Sequence, residues 1–478
     1  AVRFAKDPFS PVDHVALTRN RVDSSFADTR ARPAATLAGK SVLTLVECRN
    51  VALANNHDIR MARREGLVLS AQESLQKKKI LPHMVFSGQL GEADNQRWGY
   101  SEPLGQQGIL GQASTLIPFS GITTFGSGKE RFTGQYSLEL NWSPTFALDA
   151  YFLSVNSRNM SRDMRYQAVR KTQEVIGSVD AAFFRLLALQ EALPLAEKAA
   201  GIRGEVVRKR KDLYGRNLIG FEELADAQDK SIRAGQVLSQ LTIEVERQRN
   251  ILASLMGVSP DTPDVPGFAV VGSLNEMPAE HRLFAGALRN LERVGLENRP
   301  EPYRAVLKYL NSINDVKRAF VKYCPEITGY FRYTRDKDKF ILENEWKDVG
   351  VNVRFDLLNL LTAMDESQSA RLSLEQADTQ IVSLTEKIAS QIRAAALKYL
   401  DAHASVRSAV DSLRNAQTGL EVARNKHEQG DLRKVQVDEA TAEVLANRMR
   451  LISAMGEQGA TLSELYAALA MNYQEPGP

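Results

Sequence analysis

The sequence predicts a mainly α-helical protein with a small β part, in which long coiled-coil helices are arranged as a tandem repeat. Three observations predict this fold class: an internal repeat, a three–four spacing of apolar residues along very long segments, and short segments in which apolar and polar residues alternate. The 478 residues are 43% hydrophobic, and the net charge is only +3 with both signs interspersed. Nucleic-acid binding is therefore not expected.

The internal repeat is clearest around two prolines. The segment 54–59 corresponds to 297–302, and Pro82 corresponds to Pro325 with the same offset. Further along the chain the two copies still correspond, but with a smaller offset, so the first copy carries one long insertion. An insertion of that size belongs in a loop, and we expect it in the Gly-rich stretch that begins at Trp98.

The repeat predicts the organisation of the whole chain. The predicted parts are an N-terminal extension (1–40), repeat 1 (41–265) with a β-hairpin at about 84–143 and a long loop at 98–132, a linker (266–282), repeat 2 (283–470) with a β-hairpin at about 326–356, and a C-terminal tail (471–478). Each repeat consists of a helix, a hairpin and then long helices.

Apolar and small residues at alternate steps of three and four predict coiled-coil seams. The seam of the first copy consists of Leu224, Ala227, Ser231, Ala234, Leu238, Leu241, Val245, Leu252 and Leu255. In the second copy the segment 362–428 contains no proline and predicts one rod about 100 Å long. The matching segment 148–214 contains Pro194, where we expect a kink or a break.

Two segments alternate apolar and polar residues and predict β-strands with one apolar face. The apolar faces consist of Tyr136, Leu138, Leu140 and Trp142 in the first copy, and of Val349, Val351, Val353 and Phe355 in the second. Weaker alternation over 84–92 and 327–334 predicts a partner strand for each. Each copy is therefore expected to contain one hairpin.

The predicted strands need a partner for their apolar faces. No stretch of about 18 apolar residues occurs, so the sequence does not predict a membrane-spanning helix. The helices leave no obvious apolar layer to cover the strands, and lipid is the simplest alternative. An open sheet edge in lipid leaves backbone groups unpaired at a cost of several kcal/mol each, so the sheet must close by oligomerisation. Three copies would form a twelve-stranded barrel with a polar interior.

The doubled order of these features resembles the TolC family of outer-membrane efflux channels. In the first copy a helix ends in the residues ALANN at 52–56, and in both copies a proline precedes the hairpin and a long helix ends at Asn217 or Gly430. The resemblance covers roughly residues 41–470. It implies a homotrimer, with a twelve-stranded β-barrel in the outer membrane of a Gram-negative bacterium and a twelve-helix α-barrel that extends into the periplasm.

The resemblance also implies partners and a role. Channels of this family receive cargo from an inner-membrane transporter through a periplasmic adaptor (membrane fusion) protein, in tripartite efflux or type I secretion systems. The chain would be a passive duct rather than an enzyme, without cofactor or metal, and a mature chain whose signal peptide has been removed. Its surface partner would be outer-membrane lipid, and the long loop 98–132 would be extracellular.

A gate is expected at the periplasmic tip. Asn217 and Gly430 tolerate the left-handed conformation that ends a helix before a turn, so both turns should lie there. The resemblance places gate residues beside these turns, at Glu223, His427, Arg433, Gln436 and Glu439. Three copies of Glu439 around the trimer axis would favour cations, while Glu223 would pair with His427 and with Arg433 in the closed state.

Other classes of protein are less compatible with the sequence. The histidines are not paired at ligand spacing, no catalytic motif occurs, and the two cysteines, Cys48 and Cys324, are expected to be free and mostly buried thiols. A soluble coiled-coil scaffold is one alternative, since an alternating strand is also typical of a half-buried sheet. A periplasmic adaptor is the other, although adaptors have one helical hairpin rather than two tandem units.

Overall fold

The protein is mainly helical, with a small β part, which confirms the predicted fold class. A computed structural model describes residues 42–92, 94, 97–99, 127–129, 132–258, 269–272, 274, 288–338, 343–355, 357–430 and 433–472. The helices of these ranges are α1 (Leu45–Asn55), α2 (His57–Lys78), α3 (Pro144–Gly215), α4 (Phe221–Met256), α5 (Leu288–Asn298), α6 (Pro300–Val321), α7 (Leu357–Glu428) and α8 (Lys434–Ala468). Within the described part of the chain, no helix combines the length and the apolar character needed to cross a membrane.

The strands of the described residues form three sheets. They are β1 (Val42–Leu43), β2 (His83–Glu92), β3 (Arg97–Gly99), β4 (Ser127–Lys129), β5 (Phe132–Trp142), β6 (Ala269–Val270), β7 (Glu326–Asp336) and β8 (Glu345–Arg354). The largest sheet is antiparallel in the order β2-β5-β7-β8. The pairs β2–β5 and β7–β8 confirm the prediction of one hairpin per repeat, and the pairing of β5 with β7 joins the two hairpins.

Two small sheets were not predicted. Strands β3 and β4 pair inside the stretch 98–132 that the sequence predicts as a loop, and most of that stretch lies outside the described residues. Strand β6 lies inside the predicted linker 266–282 and pairs in parallel with β1. The reason is the same in both cases, because strands of two or three residues are too short to show an alternating pattern.

The long helices agree with the predicted seams. On α4 every predicted seam residue is buried or half-buried. Leu374, Ala377, Ile381, Leu384 and Ile388 of α7 follow the same three–four spacing and are also buried or half-buried. Helix α7 runs without interruption for 72 residues. Helix α3 is equally long, so the predicted break at Pro194 is wrong. Pro194 lies on the exposed side of α3, where water can hydrate the carbonyl that loses its intrahelical donor.

One compact unit comprises Ala1–Leu67, Arg162–Val306 and Thr379–Pro478. Its main core joins α1, α3, α4 and the β1–β6 sheet, and includes Leu43, Cys48, Val179, Phe183, Leu186, Leu252 and Met256. At the margin of this core, Arg49 donates two hydrogen bonds to the Asp180 carboxylate at 2.6 and 2.7 Å. Burial raises the pKa of the Cys48 thiol to about 12, whereas Cys324 is exposed, so the expectation of two buried thiols is wrong for Cys324.

Within this unit α3 and α8 pack closely because glycine removes side chains from their contact. A Cβ at Gly459 would lie 2.8 Å from the Phe184 ring, and a Cβ at Gly456 would collide with Ala188. Replacing a small residue by a larger one in such a contact typically lowers the free energy of unfolding by about 1–3 kcal/mol. The glycines of α8 therefore set the distance between the two helices.

The second compact unit comprises Val68–Ser161 and Leu307–Asp378, and it contains the four-stranded sheet. Beside the sheet, α3 and α6 meet through polar side chains. Asn159 donates to Asn311 at 2.8 Å and Arg318 donates to Asp149 at 2.8 Å. Buried amides and carboxylates are stable only when paired in this way. Both units take segments from both halves of the chain, and the boundaries of the two repeats stay a prediction.

Candidate functional site

The predicted site residues fall into two regions, the four-stranded sheet and the turns that follow α3 and α7. In an antiparallel sheet, residues directly opposite each other lie on the same face. The register therefore assigns every strand residue to one of two faces.

One face of the sheet is apolar across all four strands. Its members are Met84, Phe86, Gly88 and Leu90 on β2, Tyr136, Leu138, Leu140 and Trp142 on β5, Ile327, Gly329, Phe331 and Tyr333 on β7, and Val349, Val351 and Val353 on β8. Many are strongly exposed, with 71% for Phe86, 77% for Val349 and 69% for Val351. Phe355, which follows β8, is also exposed. A continuous exposed apolar face of this extent marks an interaction surface.

Aromatic packing organises the apolar face around Tyr136. Its ring stacks on Phe86 at a centroid distance of 6.4 Å. The ring occupies the space left by Gly88, where a Cβ would lie 3.3 Å from it. Tyr136 is for this reason less exposed than its apolar neighbours on the same strand.

The opposite face is polar and contains an ion pair between neighbouring strands. Glu139 on β5 lies 3.2 Å from Arg332 on β7 and accepts a hydrogen bond from Asn141 at 2.8 Å. The hydroxyls of Ser87 and Ser137 lie 2.7 Å apart. Such a face is compatible with water, so the sheet separates a polar side from an apolar side.

The sequence pattern is weaker for the apolar residues of β2 and β7 than for those of β5 and β8. On β2 the alternation is interrupted by Val85, which lies on the polar face, and by Gly88 on the apolar face. On β7 the polar face carries Tyr330, whose ring covers Gly350. The cross-strand register identifies the face of these residues without ambiguity.

The second region lies at the helix turns. Asn217 and Gly430 have positive φ angles of 55° and 83°, which lie in the left-handed region. Helix α3 ends at Gly215 and α4 begins at Phe221, while α7 ends at Glu428 and α8 begins at Lys434. Each turn thus contains one left-handed residue that reverses the chain between two long helices.

Next to these turns, Arg210 of α3 contacts acids on two other helices. Its Nη2 atom lies 2.6 Å from Glu439 Oε1 on α8. Its Nη1 atom donates to the Glu223 carbonyl on α4 at 2.7 Å and lies 4.0 Å from the Glu223 carboxylate. The side chains of Arg210 and Glu439 are only 12% and 20% exposed, whereas that of Glu223 is 60% exposed. Arg210 therefore connects α3, α4 and α8.

Arg210 is the last member of a series of cations on α3 that face acids on α8. The pairs are Arg185 with Glu457 (2.8 Å) and Glu464 (3.2 Å), Arg203 with Glu443 (3.5 Å), Lys209 with Asp438 (2.5 Å), and Arg210 with Glu439. The hydrogen bond to Glu457 raises the pKa of Arg185. We call these contacts the α3–α8 ion-pair series.

The other predicted gate residues are placed differently. The Arg433 N–H donates to the Gln436 side chain at 3.2 Å, a local contact at the start of α8. The cation that faces Glu223 comes from α3 rather than from Arg433, and His427 lies in the last turn of α7. The structure therefore brings Glu223 and Glu439 together through Arg210, a residue that the sequence does not single out. Arg210 belongs to a run of four basic residues, 208–211, and this run is the sequence feature that could have pointed to it.

The arrangement of these elements defines a class, the TolC-like fold of outer-membrane channels, and comparison with solved structures confirms it. The outer membrane protein VceC from Vibrio cholerae has a TM-score of 0.69 at 15% identity, over 89% of this chain and 96% of that chain. The outer-membrane channel CmeC from Campylobacter jejuni has a TM-score of 0.68 at 14% identity, over 91% and 87%.

A further solved structure, the open state of the MtrE outer-membrane channel from Neisseria gonorrhoeae, has a TM-score of 0.67 at 15% identity, over 89% of this chain and 88% of that chain. At such identities the similarity defines the fold. No family model matches the sequence, and no curated protein matches it either.

Proposed function

We propose that this chain is one protomer of a homotrimeric outer-membrane export channel. The observation that carries the proposal is the four-stranded sheet, which exposes one apolar face and has a polar face on the other side. Lipid would cover the apolar face, including the predicted residues of β5 and β8. CmeC and MtrE, which have the same fold, are outer-membrane channels, and VceC is an outer membrane protein, which supports the same location here.

Closure of the sheet follows from its edges. Strands β2 and β8 are the outer strands of the sheet in the described residues. Unpaired backbone groups cost several kcal/mol each in lipid, so β8 of one copy would pair with β2 of the next. Three copies give twelve strands, which is within the range of known barrels. The polar face would then line a hydrated duct that continues into a barrel of twelve helices in the periplasm.

The duct would serve a tripartite efflux or type I secretion system. An inner-membrane transporter would deliver cargo through a periplasmic adaptor protein, and the channel would act without catalysis. The alternative of a soluble coiled-coil scaffold, or of an adaptor, would require another layer of the protein to cover the apolar face of the sheet. The exposure of Val349, Val351 and Val353 favours the channel.

The turns beside Asn217 and Gly430 would form the gate at the periplasmic tip. Far from the turns, α8 packs on α3 through Gly456 and Gly459 and through the ion pairs of Arg185. Near the turns, Lys209 and Arg210 pair with Asp438 and Glu439 beside a small buried cluster of Val206, Ala227 and Val435. Between these regions a cavity of about 190 Å³ is lined by residues of α3, α4 and α8, half of them alanines and three of them the cations Arg203, Lys230 and Arg233. The buried cluster near the turns is much smaller than the main core, so the end of α8 could move at a lower cost than its glycine-packed remainder.

The proposal is tested by purification and electrical recording. We expect the protein to leave the membrane fraction only with detergent, to have the mass of a trimer plus bound detergent, and to form ion-conducting pores in planar bilayers. Extraction by salt alone as a soluble species that forms no pores would overturn the proposal and favour the scaffold or adaptor alternative.

A further inference from the structure

Three cations lie at the end of the apolar face that is nearest the β7–β8 turn. Lys347 is opposite Tyr333 in the register, and Arg335 lies two residues further along β7, so both belong to the apolar face. Lys337 follows after β7, and its backbone N–H donates to the Gly134 carbonyl of β5 at 2.9 Å. We call Arg335, Lys337 and Lys347 the rim cations.

Lys337 is held on this face by an aromatic ring rather than by a carboxylate. Its Nζ atom lies 5.4 Å from the centroid of the Tyr136 ring. Its Cδ atom lies 3.6 Å from the position that a Cβ at Gly134 would occupy. The absence of a side chain at Gly134 thus lets Lys337 reach across the apolar face. A cation over an aromatic ring keeps its charge available for an anion.

The polar face provides a direct contrast. There Arg332 lies 6.0 Å from the centroid of the Tyr330 ring, and Glu139 neutralises it at 3.2 Å. Lys337 and Lys347 have no ion-pair partner among the described residues, and both are exposed. Arg332 is therefore neutralised within the sheet, whereas Lys337 and Lys347 are not.

Carboxylates of the described residues also lie at this end of the sheet. Glu345 forms an ion pair with Arg335 at 3.3 Å. Glu92 ends β2, which lies on the opposite edge of the sheet from β8 in one copy and would lie beside β8 of the next copy in the proposed barrel. Glu343, two residues before Glu345, is also exposed. Glu345 accounts for the charge of Arg335, whereas neither Lys337 nor Lys347 forms an ion pair with a carboxylate of the described residues.

We propose that Lys337 and Lys347, with Arg335 beside them, bind the phosphate groups of anionic lipid head groups. The inference rests on the proposed function, because it requires the apolar face to lie in a membrane. Ammonium groups directly above an apolar surface match a lipid that has a phosphate directly above its acyl chains. The rings of Tyr136 and Tyr333 are suited to the same depth, since one end of tyrosine is apolar and the other polar.

The test compares lipids that differ only in head group. The detergent-purified oligomer is incubated with equal amounts of phosphatidylglycerol and phosphatidylcholine of identical acyl chains, and native mass spectrometry counts each bound lipid. We expect the wild type to retain phosphatidylglycerol several-fold in excess. The double variant K337Q/K347Q should reduce this ratio to near one. The matched control R354Q removes an exposed cation from the polar face and should keep the wild-type ratio.

Each outcome decides the proposal. No preference in the wild type, or an unchanged preference in K337Q/K347Q, would overturn it. The same spectra report the mass of the oligomer and so show whether each variant assembles. If the double variant does not assemble, the single variants K337Q and K347Q replace it, and each should lose part of the preference for phosphatidylglycerol. Excess inorganic phosphate should leave the bound lipid in place, and full displacement would indicate a site for free phosphate instead. A conducting trimer without lipid preference would refute only this inference.

Discussion

Arg210 shows how one residue can connect elements that are distant in the sequence. It is mostly buried, yet it donates to α4 and pairs with α8 at the same time. In the proposed channel this contact would hold the end of α8 against α3 and α4, and it would also neutralise Glu439. The predicted ring of Glu439 carboxylates would therefore carry little charge while the contact persists.

Replacement of Arg210 by alanine should open the tip. Hydrogen bonds that involve a charged group contribute about 1.5–3 kcal/mol, and about 1.4 kcal/mol corresponds to a factor of ten in an equilibrium constant. We expect R210A to raise the open fraction in planar bilayers about tenfold or more, and to increase cation selectivity because Glu439 becomes unpaired.

The matched control for this experiment is R208A. Arg208 is an exposed neighbour on the same helix and has no ion-pair partner in the described part of the chain. Its removal should leave both the open fraction and the selectivity unchanged. Equal behaviour of R210A and R208A would remove Arg210 from the gate.

At the scale of the element, β8 allows adjacent residues on opposite faces to be compared. Val351 is 69% exposed on the apolar face, and Asn352 is its neighbour on the polar face. Arginine on a lipid-facing strand position costs about 2–4 kcal/mol near the midplane of the bilayer. We expect V351R to lower the stability of the assembled oligomer by about this amount, and N352R to have a smaller effect.

The measurement is the fraction of oligomer that survives increasing temperature on a semi-native gel. The pair L138R and S137R repeats the comparison on β5, where Leu138 lies on the apolar face and Ser137 on the polar face. If both faces tolerate arginine equally, the apolar face does not contact lipid.

At the scale of the whole molecule, the two halves of the chain depend on each other. Helix α3 of the first half packs on α8 of the second through Gly456 and Gly459, and β5 pairs with β7. Separation of the halves would expose the α3 surface and would leave each hairpin as an isolated two-stranded sheet, which is marginally stable at best.

We therefore expect that residues 1–282 and 283–478, expressed separately, are each insoluble or rapidly digested by protease. Co-expression of the two pieces should restore protease resistance, because it supplies the α3–α8 and β5–β7 contacts. A separate first half that is as protease-resistant as the full chain would show that the repeats fold independently.

The spacing of apolar residues along the sequence was sufficient to predict the seam of α4, the uninterrupted helix α7 and the apolar faces of β5 and β8. These features follow from periodicities of a few residues, which each element repeats along its own length. The same patterns, in their doubled order, were sufficient to predict the TolC-like fold.

Pairings between distant segments became visible only in the folded chain. The contact of Arg210 with Glu439, the position of Lys337 over Tyr136 and the pairing of β1 with β6 each join residues that no short pattern connects. Pro194 illustrates the same limit, since a residue that disfavours helices is tolerated on the exposed side of a helix whose other side is packed. The energy of such contacts depends on which segments lie next to each other, and the tertiary structure determines this.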